Sequence, residues 1–165
     1  MRAYAPFAAF CLSVAAAAGA ANLVELNEPA KIADSFSAKA AVRVLNVWAT
    51  WCVPCVEEMN DLGTISNTFG TQVSLVGVSL DDMIPGDRAV TKRKVISFLD
   101  QKKITYTNIY YRGNNDALGD TLRFNGEIPI TIVYDRTGRE VWRQQGKLDR
   151  EKAIGQIRKM LGGKR

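Results

Sequence analysis

Cys52-Val53-Pro54-Cys55 is the stretch that most narrows what this chain can become. An apolar run, Val42 to Trp48, leads into it. A helical pattern follows, in which Val56, Met59, Leu62, Ile65 and Phe69 recur at three- and four-residue steps. Strand, turn and helix in that order place Cys52 at a helix N-terminus. Unpaired backbone N–H groups and the helix dipole favour negative charge there. The thiolate is the reactive form of cysteine, so this position activates Cys52. Cys55 falls one turn further along the same face, within reach of a small disulfide ring. Such a pair reads as a redox dithiol. The competing reading is a disulfide that merely staples a turn. So short a loop removes little chain entropy and stabilises weakly.

The remaining cysteine and the charge narrow the classes further. The chain has 165 residues, three cysteines and no histidine. Cys11 lies in an alanine-rich apolar segment, which leaves Cys52 and Cys55 as one pair. Two thiols without histidine do not make a structural zinc site, which takes four ligands, nor a multi-disulfide scaffold. The net charge of +5 comes from basic residues scattered along the chain. No aromatic–basic interleaving accompanies them, so nucleic acid is not an expected partner.

Residues 1–21 read as a secretory signal peptide or, if uncleaved, an N-terminal anchor. Arg2 starts the segment, an apolar core follows, and Ala18-Gly19-Ala20 supplies small residues before a cleavage point. Residues 22–165 form one domain. Residues 22–29, with Leu23, Val24 and Leu26, form a short edge strand. Residues 30–41 form a first helix with Ile32, Ala33 and Phe36 inward. Val42 to Trp48 and Val73 to Leu80 are strands buried on both faces. Strand, helix, strand implies a right-handed crossover and parallel pairing. Residues 81–87 form a loop, 91–103 a helix, 106–111 a strand and 117–124 a short helix. A strand over 127–135 pairs as a hairpin with 140–145. Asp149 caps a last helix with Ile154, Ile157, Met160 and Leu161 inward.

Trp48-Ala49-Thr50-Trp51-Cys52-Val53-Pro54-Cys55, with Leu45-Asn46-Val47 before it and Glu57-Glu58-Met59 after it, resembles the active site of TlpA/ResA/DsbE-type thiol–disulfide oxidoreductases of the bacterial cell envelope. The resemblance runs from about Val42 to the C-terminus. Ser37-Ala38-Lys39-Ala40 departs from it, since many relatives carry a Gly-Lys before the central strand. The resemblance implies an α/β, thioredoxin-like fold: a central mixed sheet flanked by helices, with an insertion over 81–124. It implies that Cys52 attacks, that Cys55 resolves, and that Trp51, Val53, Pro54, Ile128 and Pro129 meet the substrate. Pro129 corresponds to a cis-proline facing the cysteines; read alone, it is an ordinary strand-starting proline. Trp48 fits the core better than the surface.

The family pattern also sets expectations about chemistry. Asn46 stands where cytoplasmic thioredoxins carry a buried aspartate, and it cannot titrate. Glu57, Glu58 and Glu127 are candidate replacements, although solvated charge is the simpler account of each. The resemblance favours a reductant of exported proteins, for example in cytochrome c maturation. It implies the periplasm or the outer face of the inner membrane, protein thiol or disulfide substrates, a membrane electron-transfer partner, and no cofactor beyond the Cys52–Cys55 disulfide. A dithiol oxidase is the nearest rival. A Cu(I) carrier using Cys52, Cys55 and Met59 is a more distant one, since soft sulfur ligands suit that ion.

Overall fold

Strict alternation is absent from the apolar runs over 42–48 and 73–80, and the fold explains why. The computed structural model describes residues 22–162. Its strands are β1 (Leu23–Leu26), β2 (Val42–Trp48), β3 (Val73–Ser79), β4 (Thr107–Tyr111), β5 (Ile130–Asp135) and β6 (Glu140–Gln145). Its helices are α1 (Val53–Phe69), α2 (Arg88–Gln101), α3 (Asn115–Leu122) and α4 (Arg150–Met160). The strands form one mixed sheet in the order β1-β4-β3-β2-β5-β6. β1, β4, β3 and β2 are mutually parallel, and β5 joins β2 antiparallel.

Helices cover both faces, so β2 and β3 are apolar at consecutive positions. Val42, Val44 and Trp48 point toward Met59, Leu62 and Ile65 of α1, with Val95 of α2 and Ile157 of α4 in the same cluster. Leu45 and Val47 point the other way, toward Leu118 and Leu122 of α3 and toward Ile32. Successive strand side chains alternate faces. Asn46 therefore shares the α1 face with Val44 and Trp48, and this decides the chemistry beneath the cysteines.

The predicted elements are present, with shifts at their ends. The expected helix over 30–41 is a 3-10 helix, Pro29–Ser35, which buries Ile32 and leaves Ala33 exposed. A 3-10 helix repeats every three residues, which leaves Ala33 facing solvent; Phe36, just past its end, is half-buried against the same cluster as Ile32, as expected. α2 starts at Arg88 rather than Thr91, because the Asp87 carboxylate accepts from Val90 N at 3.0 Å and caps it there. Asn114 does the same for α3 at 2.8 Å, moving its start to Asn115. Asp149 caps α4 as expected, at 3.1 Å from Lys152 N. β5 starts at Ile130, three residues later than the apolar run suggested. The block over 81–124 forms α2, β4 and α3, with β4 inserted between β1 and β3. The leader reading of residues 1–21, Cys11 included, lies outside the described residues. Among the described residues, no helix is long and apolar enough to cross a membrane.

Candidate active site

β2 delivers the chain to the site and α1 takes it away. After Trp48 the backbone turns, with Cys52 N donating to Ala49 O at 3.2 Å. Asp81, just past the neighbouring strand β3, fixes this turn. Its carboxylate accepts from Thr50 N at 3.2 Å, from the Thr50 hydroxyl, and from Ser79 Oγ at 2.7 Å. Cys52 is the N-cap of α1, and its sulfur accepts from Cys55 N at 3.3 Å. The two cysteines are joined as a disulfide, with their Cα atoms 5.3 Å apart. Cys55 is fully buried and Cys52 nearly so. Pro54 lies in the first helical turn, where an N–H would have no intrahelical partner.

The second wall comes from the start of β5. Cys52 Sγ lies 3.7 Å from the Ile128 carbonyl oxygen, and the Ile128–Pro129 peptide is cis, as the resemblance implied. Cys52, Cys55, Ile128 and Pro129 are thus brought together from positions far apart in the chain. Trp51 and Val53 flank the sulfur as exposed apolar side chains, at 46% and 67% accessibility. Trp48 is fully buried instead, donating from Nε1 to Asn108 Oδ1 at 3.1 Å. Met59 is fully buried, in the same core cluster as Cys52 and Cys55. Among the described residues, no group of three or more His, Cys, Asp or Glu is arranged to hold a metal ion.

Of the three candidate acids, for which solvated charge is the simpler expectation, one is buried on the helix that carries Cys55. Glu58 is fully buried, one helical turn past Cys55. Its oxygens accept from Asn46 Nδ2 at 2.7 Å and from Leu148 N at 2.6 Å. Asn46 Nδ2 also contacts Thr131 Oγ1 at 3.1 Å, while Asn46 Oδ1 is buried without a partner among the described residues. Burial raises the Glu58 pKa to about 7; the bonds from Leu148 and Asn46 oppose that rise without cancelling it. Glu57 points outward instead and pairs with Lys147 at 2.7 Å, and Glu127 is exposed. Glu58 was legible in one respect. Positions 55, 58, 59, 62 and 65 make one helical stripe, and a glutamate inside an apolar stripe is a buried glutamate.

A disulfide that caps a helix at the carboxyl end of a central strand, faced by a cis-proline loop, defines a thioredoxin-like thiol–disulfide oxidoreductase. The chain belongs to the Redoxin family, whose model matches residues 16–161. Its structure is similar to that of a protein from Chlorobium tepidum described as a thiol:disulfide interchange protein DsbE. The two share 22% identity over 79% of this chain and 85% of that one, with a TM-score of 0.63. A thioredoxin-related protein from Neisseria meningitidis serogroup B is 26% identical over 75% of this chain and 87% of its own, with a TM-score of 0.61. A DsbF homologue from Corynebacterium diphtheriae is 25% identical over 81% and 76%, with a TM-score of 0.59. A comparison with curated protein sequences gives no match.

Proposed function

We propose that the protein is a dithiol reductant of exported proteins, working in the periplasm or on the outer face of the bacterial inner membrane. The observation that carries the exchange chemistry is the placement of the Cys52 sulfur at the start of α1, against the Ile128 carbonyl, with Cys55 directly behind it. In the reduced protein the Cys52 thiolate attacks a substrate disulfide. One substrate sulfur leaves as a thiolate, and a mixed disulfide forms. Cys55 then loses its proton and attacks Cys52 Sγ. The second substrate sulfur leaves, and the Cys52–Cys55 disulfide forms. Two electrons pass to the substrate. A dithiol carrier returns them in the next half-cycle, which is the role of a membrane electron-transfer partner.

Each neighbour has a place in that sequence. Trp51, Val53, Pro54, Ile128 and Pro129 form the surface on which a substrate segment rests, and the chain beside Pro129 offers main-chain groups to an extended strand. Glu58 takes the proton from Cys55. It lies one turn further on the same helix face, and its pKa near 7 lets it accept and release a proton at neutral pH. The reducing direction is supported by Pro54, which lacks the N–H that would stabilise a thiolate, and by the uncharged Val53. The resemblance points to apocytochrome c or another exported protein as the substrate.

Trapping tests the proposal. Cys55→Ala, expressed in an envelope-bearing host, is expected to hold substrate covalently on Cys52, released by dithiothreitol and absent from Cys52→Ala. Recovery of no partner, together with no turnover in insulin reduction, would count against exchange altogether. The reduction potential settles direction: well below about −200 mV supports the reductant, and near −120 mV supports a dithiol oxidase.

A further inference from the structure

Seven large apolar side chains stand exposed among the described residues, and four of them belong to two segments that leave the same end of the sheet. Trp51 and Val53 flank Cys52. Met83 and Ile84, at 47% and 48% accessibility, sit in the loop between β3 and α2. β2 and β3 are adjacent parallel strands in register, Trp48 opposite Ser79, so the two segments emerge side by side. Leu80 N donates to Trp48 O at 2.9 Å, and the Asp81 carboxylate holds Thr50. A 3-10 turn folds the next residues back, with Met83 N donating to Leu80 O at 3.1 Å. The loop is thus fastened to the turn that carries Cys52.

Asp81 is buried, Asp82 half-buried and Asp87 exposed at the start of α2. Asp81 is taken up by Thr50 and Ser79. Asp82 accepts from the Tyr110 hydroxyl at 3.0 Å and pairs with Arg88 at 3.2 Å. Asp87 caps α2. All three carboxylates are occupied by this protein's own groups, and what the loop offers outward is Met83 and Ile84, followed by Pro85. Apolar surface held at a fixed place beside a reactive sulfur matches an apolar ligand.

We infer that residues 81–87 are a substrate-selecting wall, which favours extended polypeptide segments carrying a large apolar side chain next to the reacting cysteine. The inference rests on the exchange chemistry proposed above and adds a selection that the cysteines and Pro129 do not supply. An extended segment paired beside Pro129 crosses Cys52, and its next side chains reach over Trp51 toward Met83 and Ile84.

The test compares two short peptides that differ only beside their cysteine, leucine in one and serine in the other. Each cysteine is held as a disulfide with 2-thiopyridine. The reduced protein attacks the peptide sulfur from Cys52, and release of pyridine-2-thione reports the second-order rate. Shielding about 60 Å² of apolar surface corresponds to a preference of about tenfold for the leucine peptide. The Met83→Ser/Ile84→Ser double variant is expected to bring the ratio of the two rates close to one, and Ile84→Thr to lower it partway. Val24→Ser and Val141→Ser, at exposed apolar positions elsewhere, are expected to leave the ratio as it is. Equal rates for both peptides in the unmodified protein would overturn the inference. So would a ratio that survives the double variant in a protein whose circular dichroism shows it folded. Reaction with neither peptide would instead remove the exchange reading on which the inference stands.

Discussion

Cys52 and Cys55 close one ring of four residues, yet they meet different surroundings. Cys52 caps the helix, lies against a carbonyl, and has exposed Trp51 and Val53 beside it; Cys55 is sealed beneath it. The reduced protein is therefore expected to lose one thiol to iodoacetamide quickly and the other only on unfolding. Peptide mapping by mass spectrometry should place the fast adduct on Cys52. A fast adduct on Cys55, or equal rates, would contradict the assignment of attacker and resolver. The pair itself was legible in the sequence because spacing, position after a strand and the following helical stripe all agree. Glu58 was legible only in part. Its neighbour Glu57 carries the same side chain one residue earlier and faces solvent, so residue type could not separate them. The turn of the helix does.

At the scale of elements, the central strands leave little room for change. Gly77 in β3 lies where an added Cβ would stand 2.2 Å from Asn108 Oδ1 and 2.9 Å from Trp48 Nε1. Glycine is required here by close approach rather than by backbone angle. Gly77→Ala is expected to break the Trp48–Asn108 hydrogen bond and to destabilise the protein by about 2–4 kcal/mol in urea unfolding. Gly63, inside α1, is the opposite case, with nothing within 4 Å of its added Cβ. Gly63→Ala should stabilise by up to about 1 kcal/mol in the same measurement, since alanine favours a helix interior. Element type was readable because β2 and β3 are buried on both faces and α1 carries a long stripe. Element ends were less so. The starts of α2 and α3 depend on whether Asp87 and Asn114 turn their side chains onto the backbone, and a loop residue and a cap share one composition.

At the scale of the whole molecule, Glu58 couples the site to folding. Its pKa is about 7 in the folded protein against an ordinary 4.5. Between those values the folded state keeps a proton that the unfolded chain gives up. Its contribution is complete below the unfolded value and is lost as pH rises through the folded one. Stability is thus expected to fall by about 3 kcal/mol from pH 4.5 to just above 7, then level. The chain has no histidine to titrate in that window. Asp135, lowered to about 2 chiefly by the Thr137 hydroxyl, works in the opposite sense and only at lower pH. Urea titrations across the range should show the slope, and Glu58→Gln should flatten it. Persistence of the slope in that variant would assign it to another group. This coupling was hidden in the sequence because it needs β2, α1 and the segment before α4 to meet. Asn46, Glu58 and Leu148 lie in three separate stretches, and only the assembled fold shows that the amide, the acid and the backbone N–H share one buried spot.

The mutual direction of the first two strands has a consequence for any attachment. Both run toward the end where the sulfur is presented, so Asn22, just before β1, lies toward the other pole. A molecule tied down at that pole would hold its dithiol outward, away from whatever it is fastened to and toward clients arriving from the open compartment.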